Sequence, residues 1–168
     1  YLFFITLRDF FSKGFKNLAQ NTAHFGFSLL ILSILFNSLF SSEIITNLKV
    51  GQTFENSKAK IVFESLSQKE GENYKSIIGN FVVQDSNGKM ENLSPELRIY
   101  NQPNITTSEA DIKTTLLSDK FIVINLVQNQ EFFNVRYQVK PFMLWIWISV
   151  ILISFGGLIS FVKKEYEK

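Results

Sequence analysis

Histidine occurs once in the sequence, at His24, and cysteine not at all. The missing cysteine excludes disulfides, thiolate metal sites and a cysteine nucleophile. Any imidazole chemistry within the chain therefore falls on His24. A Ser-His-Asp arrangement would have to be built around a side chain inside an apolar run, and zinc lacks a second nitrogen or sulfur ligand. A neutral imidazole is a common axial ligand of haem iron. An ionisable residue inside a membrane helix is costly and by default a functional candidate. Gly26, with Ser28 one turn on, would leave room beside His24 for a flat macrocycle. The competing reading is a histidine hydrogen-bonded to a neighbouring helix, and on the residues alone that reading comes first.

The other titratable groups give no constellation. Asp, Glu, Lys and Arg are mixed along the middle of the chain with no standout pair of carboxylates, so they read as a solvated surface, and no catalytic residue is assigned. Net charge is +2, too small to imply nucleic acid. Asn104-Ile105-Thr106 is a glycosylation sequon that carries no meaning in a bacterium or organelle.

The elements that must position His24 follow from the apolar pattern. Phe3, Phe4, Leu7, Phe10, Phe11, Phe15 and Leu18 recur at helical spacing, opposite Arg8, Asp9, Ser12, Lys13 and Lys16. Residues 1–18 are thus an amphipathic helix, lying in a membrane interface or packed on other helices. No charge falls between Lys16 and Glu43, and residues 19–42 form the first transmembrane helix, preferred over a signal peptide because no small-residue cleavage pattern follows. Residues 141–162, between Lys140 and Lys163, form the second, with Trp145 and Trp147 near its start and Gly156-Gly157 suited to close helix approach. Residues 163–168 are a basic tail. Arg8, Lys13 and Lys16 before the first span, and Lys163, Lys164 and Lys168 after the second, place both termini on the cytoplasmic or matrix side.

Residues 43–140 then form a β-rich domain facing the periplasm or intermembrane space. Strands are expected at Lys60–Phe63 and Leu97–Tyr100. A hairpin is expected around Asp85-Ser86-Asn87-Gly88, and another at Phe121–Val127 and Phe132–Val139. Ser108–Leu117 is read as a short helix. The fold class is integral membrane α+β: an amphipathic helix, then two transmembrane helices bracketing a small β-sandwich or barrel. The 18 Phe, with few Ala and Arg, are the usage of an AT-rich genome, as in an organelle or a reduced bacterium. Tyr1 in place of an initiator Met suggests a fragment or a processed piece.

Several strings resemble one family in order and spacing. Ala23-His24-Phe25-Gly26 resembles the AHxG of CcmF, the haem lyase subunit of cytochrome c maturation. Gly71-Glu72-Asn73-Tyr74 is similar to its GPNY, and Pro95-Glu96-Leu97-Arg98-Ile99-Tyr100 to its PExRxY. Thr107–Ile112 resembles TEAAI, and Asp119-Lys120-Phe121 resembles DLY. Arg136, Lys140-Pro141-Phe142 and Trp145-Ile146-Trp147 are similar to R…KP…WIW, and Gly156-Gly157 to the closing GG. The likeness covers about Ala19 to Phe161 and only the C-terminal portion of a family member. Ser149 stands where Gly usually follows WIW, and Leu144 where a basic residue is expected. The family's tryptophan-rich haem-handling motif is absent.

The resemblance implies that His24 is one of two axial ligands of a membrane b-type haem, the second coming from a segment outside this chain. It implies a part in covalent haem attachment to apocytochrome c, not catalytic alone. The implied partners are the remaining CcmF segments or subunits, a haem chaperone, apocytochrome c with its thiol-reducing partner, and membrane lipids, with no nucleic acid. The implied location is an inner membrane, the mitochondrial one ahead of a bacterial one, with the chain a split-gene product or fragment. The alternatives are a haem-free structural subunit of a larger inner-membrane respiratory complex, and a two-span receptor or tether.

Overall fold

The computed structural model describes residues 1–12, 17–86, 88–127 and 131–166, the last four of them in backbone only. Two compact units emerge: Tyr1–Ser41 with Thr114–Asp119 and Lys140 onward, and Ser42–Lys113 with Lys120–Val139.

The first unit is helical. Helix α1 spans Leu2–Ser12, α2 Leu18–Phe40, and α3, met last in the chain, Met143–Tyr166. Both α2 and α3 are long and apolar enough to cross a membrane. Only 22% and 11% of their apolar windows are buried, whereas the core helix of a soluble protein would be mostly covered. They pack on each other through small residues. A Cβ on Gly156 would stand 2.7 Å from the Ala19 carbonyl oxygen and 2.8 Å from the Ala23 nitrogen. One on Gly26 would stand 3.0 Å from the Ile153 nitrogen. Close backbone approach of this kind is what small residues permit. Of the expected Gly156-Gly157 pair only the first is used, since Gly157 has nothing within 4 Å of where its Cβ would be.

Helix α1 packs on α2. The Phe10 and Phe3 rings lie 5.3 and 5.8 Å from that of Phe25, and Thr6 Oγ1 lies 2.6 Å from Ser28 Oγ. The aromatic stripe is split: Phe4 and Phe11 point away and are exposed. Phe15, Lys13 and Lys16 lie outside the described residues.

The second unit is a β-sandwich. Its strands are β1 (Ser42–Leu48), β2 (Thr53–Glu55), β3 (Ala59–Glu70), β4 (Tyr74–Asp85), β5 (Met90–Leu93), β6 (Glu96–Tyr100), β7 (Thr106–Glu109), β8 (Asp111–Thr114), β9 (Ser118–Leu126) and β10 (Phe133–Pro141). One sheet runs β1-β10-β9-β8; the other runs β2-β3-β4-β6-β7, with β5 also on β4. Period-two alternation fixes the faces. Ile61 and Phe63 of β3, Phe81 and Val83 of β4, Ile122 and Ile124 of β9 and Val135 of β10 are all at most 2% exposed and form the core. Phe63 stacks on Phe81 at 4.3 Å and meets Phe133 edge-on at 5.6 Å, joining the two sheets. Ser42 pairs with Val139, so the domain's two ends lie side by side, as the positions of the flanking apolar helices require.

Most expected strands are present. The β4–β5 hairpin turns with Gly88 at φ +81°, and Gly88 N–H donates to the Asp85 carbonyl at 2.9 Å. Asn87, and the Gln128–Gln130 part of the second expected loop, lie outside the described residues. The expected helix at Ser108–Leu117 is not formed. That stretch supplies edge strands β7 and β8 instead. Its apolar residues Ile112, Leu116 and Leu117 are all exposed and give a helix no face to bury, while β7 gains a ladder on β6. Pairing in the sheet thus overrides the helix propensity of Glu109, Ala110 and Lys113.

Candidate functional site

His24 lies in α2, whose sides are unequal. One packs on α3 through Ala23 and Gly26, and another on α1 through Phe25 and Ser28. The third side carries Gln20, His24, Phe27, Ile31 and Leu35 at helical spacing, all exposed. This arrangement corrects the proposed role of Gly26 and Ser28 as clearance for a macrocycle: Gly26 is buried against Ile153 and Leu152, and Ser28 hydrogen-bonds Thr6 and the Phe25 carbonyl. The open space beside His24 is the exposed side itself. Among the described residues, none hydrogen-bonds the His24 ring, so the helix-packing reading finds no partner in them. No described group of three or more His, Cys, Asp or Glu residues is placed to hold a metal ion. The donor set is compatible with one ligand to a haem iron: a single imidazole on an exposed apolar helix face, with none of the described residues covering it.

Hydrogen bonds and ring contacts tie α2 to its neighbours at both ends. Asn21 Nδ2 donates to the Asp9 carbonyl at 3.3 Å, fastening α1 near His24. At the far end Asn37 Nδ2 donates to the Pro141 carbonyl at 2.7 Å, and Phe36 packs on Phe142 at 5.2 Å. Ser149, in the place of the usual Gly, is fully buried and donates to the Trp145 carbonyl at 2.6 Å, so its hydroxyl is satisfied within its own helix.

In the sandwich the motif strings converge. Gly71 N–H donates to the Tyr74 carbonyl at 2.9 Å, closing the β3–β4 hairpin. Tyr74 pairs with Tyr100, Ser76 with Arg98, and Arg98 with Thr107. The strings that begin at Gly71, Pro95 and Thr107 therefore become neighbouring strands. On their outer face Glu96 accepts from Ser76 Oγ at 3.1 Å and from Arg98 Nε at 3.0 Å, while the guanidinium stands 5.1 Å from the Tyr74 ring centre. Arg136 Nε donates to Glu43, which also accepts from Gln138 Nε2 at 2.6 Å, tying β1 to β10.

One cluster was not anticipated. Lys120, 7% exposed, reaches Asp85 at 3.0 Å and Glu91 at 3.2 Å, and Lys89 reaches Glu91 at 2.8 Å. Burial pulls the Lys120 ammonium down, but hydrogen bonds and charge from Asp85 and Glu91 outweigh it and hold it above its ordinary value. Burial likewise pushes Glu91 up, and its two lysines outweigh that and hold it below the usual carboxylate range. The Tyr137 hydroxyl is buried without a hydrogen-bond partner among the described residues. Burial first, and then the charges of Glu91 and Asp85, drive its ionisation upwards. A signal for Lys120 was present: alternation in β9 places it on the same face as Ile122 and Ile124. Most of the charged residues read as a solvated surface; Lys120 and Glu91 are not part of it, while Lys89 is exposed.

Comparison with known proteins adds the following. Residues 39–141 match the family described as "CcmF C-terminal beta-sandwich". A Pseudomonas aeruginosa protein named cytochrome c-type biogenesis protein CcmF is 27% identical over 86% of this chain and 22% of its own length. Cytochrome c-type biogenesis protein ccl1 of Rhodobacter capsulatus is 31% identical over the same shares, 86% and 22%. A solved structure titled "Cytochrome c Heme Lyase CcmF" superposes with a TM-score of 0.67 at 16% identity, over 93% of this chain and 27% of that one. The chain thus spans about a quarter of the length of the proteins it matches.

Proposed function

This chain belongs to the CcmF family, as its C-terminal region, and from that premise we propose that it is the C-terminal part of a cytochrome c haem lyase. In this reading it takes part in covalent haem attachment to apocytochrome c, and His24 is an axial ligand of a membrane b-type haem. The observation that carries the proposal is the family match across the whole sandwich, together with a sole imidazole on the exposed side of an apolar helix. The haem-free structural-subunit alternative is not favoured, since the relatives are named for cytochrome c biogenesis.

Helices α2 and α3 cross an inner membrane, with both termini on the cytoplasmic or matrix side and the sandwich on the other. Supporting this, both helices expose large apolar residues, and the buried residues of α2 are, Leu29 apart, small or polar. The relatives are bacterial and lend no weight to a mitochondrial over a bacterial membrane.

The His24 ring would hold the haem iron through a neutral ring nitrogen. A bound b-type haem would supply electrons that keep the transferred haem reduced. The chain's own contribution is to keep the imidazole facing outwards: α1 and α3 occupy the other two sides of α2, and no described residue hydrogen-bonds the ring. The second axial ligand, the substrate-haem site, a haem chaperone and the apocytochrome with its thiol-reducing partner belong to segments or proteins beyond this chain.

The test is His24→Ala in the membrane complex. The expected outcome is retained insertion, loss of the b-type band in the reduced-minus-oxidised spectrum and reduced cytochrome c maturation. Added imidazole should partly restore the band. Full haem content and full maturation would leave His24 as a packing residue and overturn the ligand reading.

A further inference from the structure

The tight turn Thr115–Ser118 belongs to the helical unit, not to the sandwich, although it joins two sandwich strands. It displays two adjacent leucines outwards, Leu116 at 69% and Leu117 at 67% exposure. A pair so exposed on a polar turn of a soluble domain would be a liability.

The turn's backbone is the second observation. The Leu116 carbonyl accepts from Trp145 Nε1 at 2.7 Å, and the Leu117 carbonyl accepts from the Phe142 N–H at 2.8 Å. Ser118 closes back on Thr115: its N–H donates to Thr115 Oγ1 at 3.1 Å, and its carbonyl accepts from the Thr115 N–H at 3.0 Å. Irregular backbone at membrane depth is tolerated only where its polar groups are satisfied by protein. All three carbonyls from Leu116 to Ser118 that would otherwise call for water are satisfied.

The turn's level is the third. Trp145 and Phe142 stand at the start of α3, and Asn37 sets the end of α2 beside Pro141. Leu39 and Phe40 of α2 and Trp147 of α3 are exposed at the same end of the helix pair. The leucines therefore continue an apolar rim that carries tryptophans, the residues that mark a membrane–water boundary.

We propose that Leu116 and Leu117 insert into the outer leaflet as a hairpin anchor, so that the domain is held to lipid at a third point besides the two helices. The occupant of this surface is the acyl region of the bilayer. The proposal rests on the reading of α2 and α3 as membrane spans.

This sequence has no cysteine, so each substitution adds one thiol here, and cysteines elsewhere in the complex are replaced by serine to make the label unique. Leu116→Cys, Leu117→Cys, Ile151→Cys and Ile105→Cys would each carry an environment-sensitive fluorophore in the membrane complex, reconstituted in phosphatidylethanolamine–phosphatidylglycerol vesicles. Ile151 lies mid-α3 and Ile105 in the loop before β7. The expected result at 116 and 117 is a blue-shifted emission, quenched by nitroxide-bearing lipid and lost to quenching by aqueous iodide. Ile151 should behave the same way and Ile105 the opposite way. Iodide quenching at 116 and 117 would overturn the anchor while a lipid-quenched Ile151 leaves the spans standing. Quenching by neither agent would also overturn it, showing another protein segment over the turn. An Ile151 label outside lipid would overturn the span reading, and the anchor with it.

Discussion

The two units of this chain bury opposite kinds of residue. The sandwich hides Ile61, Phe63, Phe81, Leu93, Ile122, Ile124 and Val135 and turns its lysines and glutamates outwards, with Lys120 the paired exception. Helix α2 does the reverse. Of its buried residues only Leu29 is apolar and large; Asn21, Thr22, Gly26, Ser28 and Ser33 are small or polar, while Phe27, Ile31, Ile34, Leu35, Leu39 and Phe40 are exposed. In water the hydrophobic effect drives the first arrangement. Where the solvent is itself apolar that drive vanishes, and helices associate through close packing and small polar contacts. On the proposed reading of α2 and α3 as membrane spans, one chain carries two solutions to two solvents, and a substitution should act differently in each.

The largest effect is expected in the sandwich. Phe63 is fully buried, stacked on Phe81 and set against Phe133, so it is the ring on which the two sheets meet. Phe63→Ala removes both contacts and leaves a cavity, which typically costs about 3–5 kcal/mol. Chemical denaturation followed by the β-sheet circular dichroism should show that loss while the helical signal persists in lipid. A loss under about 1 kcal/mol would mean that the sheets are not held by this contact.

The Lys120 cluster comes next. Lys120→Met removes the ammonium shared by Glu91 and Asp85; because Glu91 keeps Lys89, the cost should fall below the roughly 3 kcal/mol of a buried charge left wholly uncompensated. The cluster also sets a pH signature. Lys120 and Tyr137 are both raised above their ordinary values of 10.5 and 10.0, so the folded state favours their protonated forms. Their stabilisation is complete below those values and is lost as pH rises from them towards the higher folded-state values. Glu91 lies below its ordinary 4.5, so its contribution is present above that value and is lost as pH falls beneath it. Denaturation midpoints should be flat between the two limits and fall on both sides. Lys120→Met should shrink the alkaline fall without abolishing it, because Tyr137 remains. An unchanged alkaline limb would show that Lys120 does not contribute to it.

What could be read in advance divides along the same line. Short runs of β-branched and apolar residues mark Lys60–Phe63 and Phe121–Val127 as strands, and the Asn-Gly pair before Lys89 signals a turn. The uncharged runs mark α2 and α3 as long apolar helices. Edge strands β7 and β8 were hidden, since their alternation is weak, their apolar residues are exposed and only pairing with β6 and β9 defines them. His24 stood out as the sole histidine, but which side of α2 it occupies depends on where α1 and α3 pack. The small residues carry that information only in retrospect: Gly26 was assigned to clearance for a ligand and is instead the contact with Ile153.

The smallest effect belongs to the helix pair, and two adjacent glycines isolate it. Ala is favoured over Gly in a helix by about 1 kcal/mol. At Gly157 nothing lies within 4 Å of the added carbon, so Gly157→Ala should show that gain alone. At Gly156 the carbon would stand 2.7 Å from the Ala19 oxygen, 2.8 Å from the Ala23 nitrogen and 2.9 Å from the Ala23 Cβ. Two of these are backbone atoms, so α2 itself must move. Overpacking of this kind costs about 1–3 kcal/mol, which exceeds or cancels the propensity gain. Thermal unfolding of the helical signal in lipid vesicles should therefore shift upwards for Gly157→Ala and hold or fall for Gly156→Ala, with the sandwich transition unmoved by either. Because the displaced helix is the one that carries His24, Gly156→Ala should also broaden any b-type absorption band that Gly157→Ala leaves intact. Equal upward shifts for the two variants would show that α2 and α3 do not meet at Gly156.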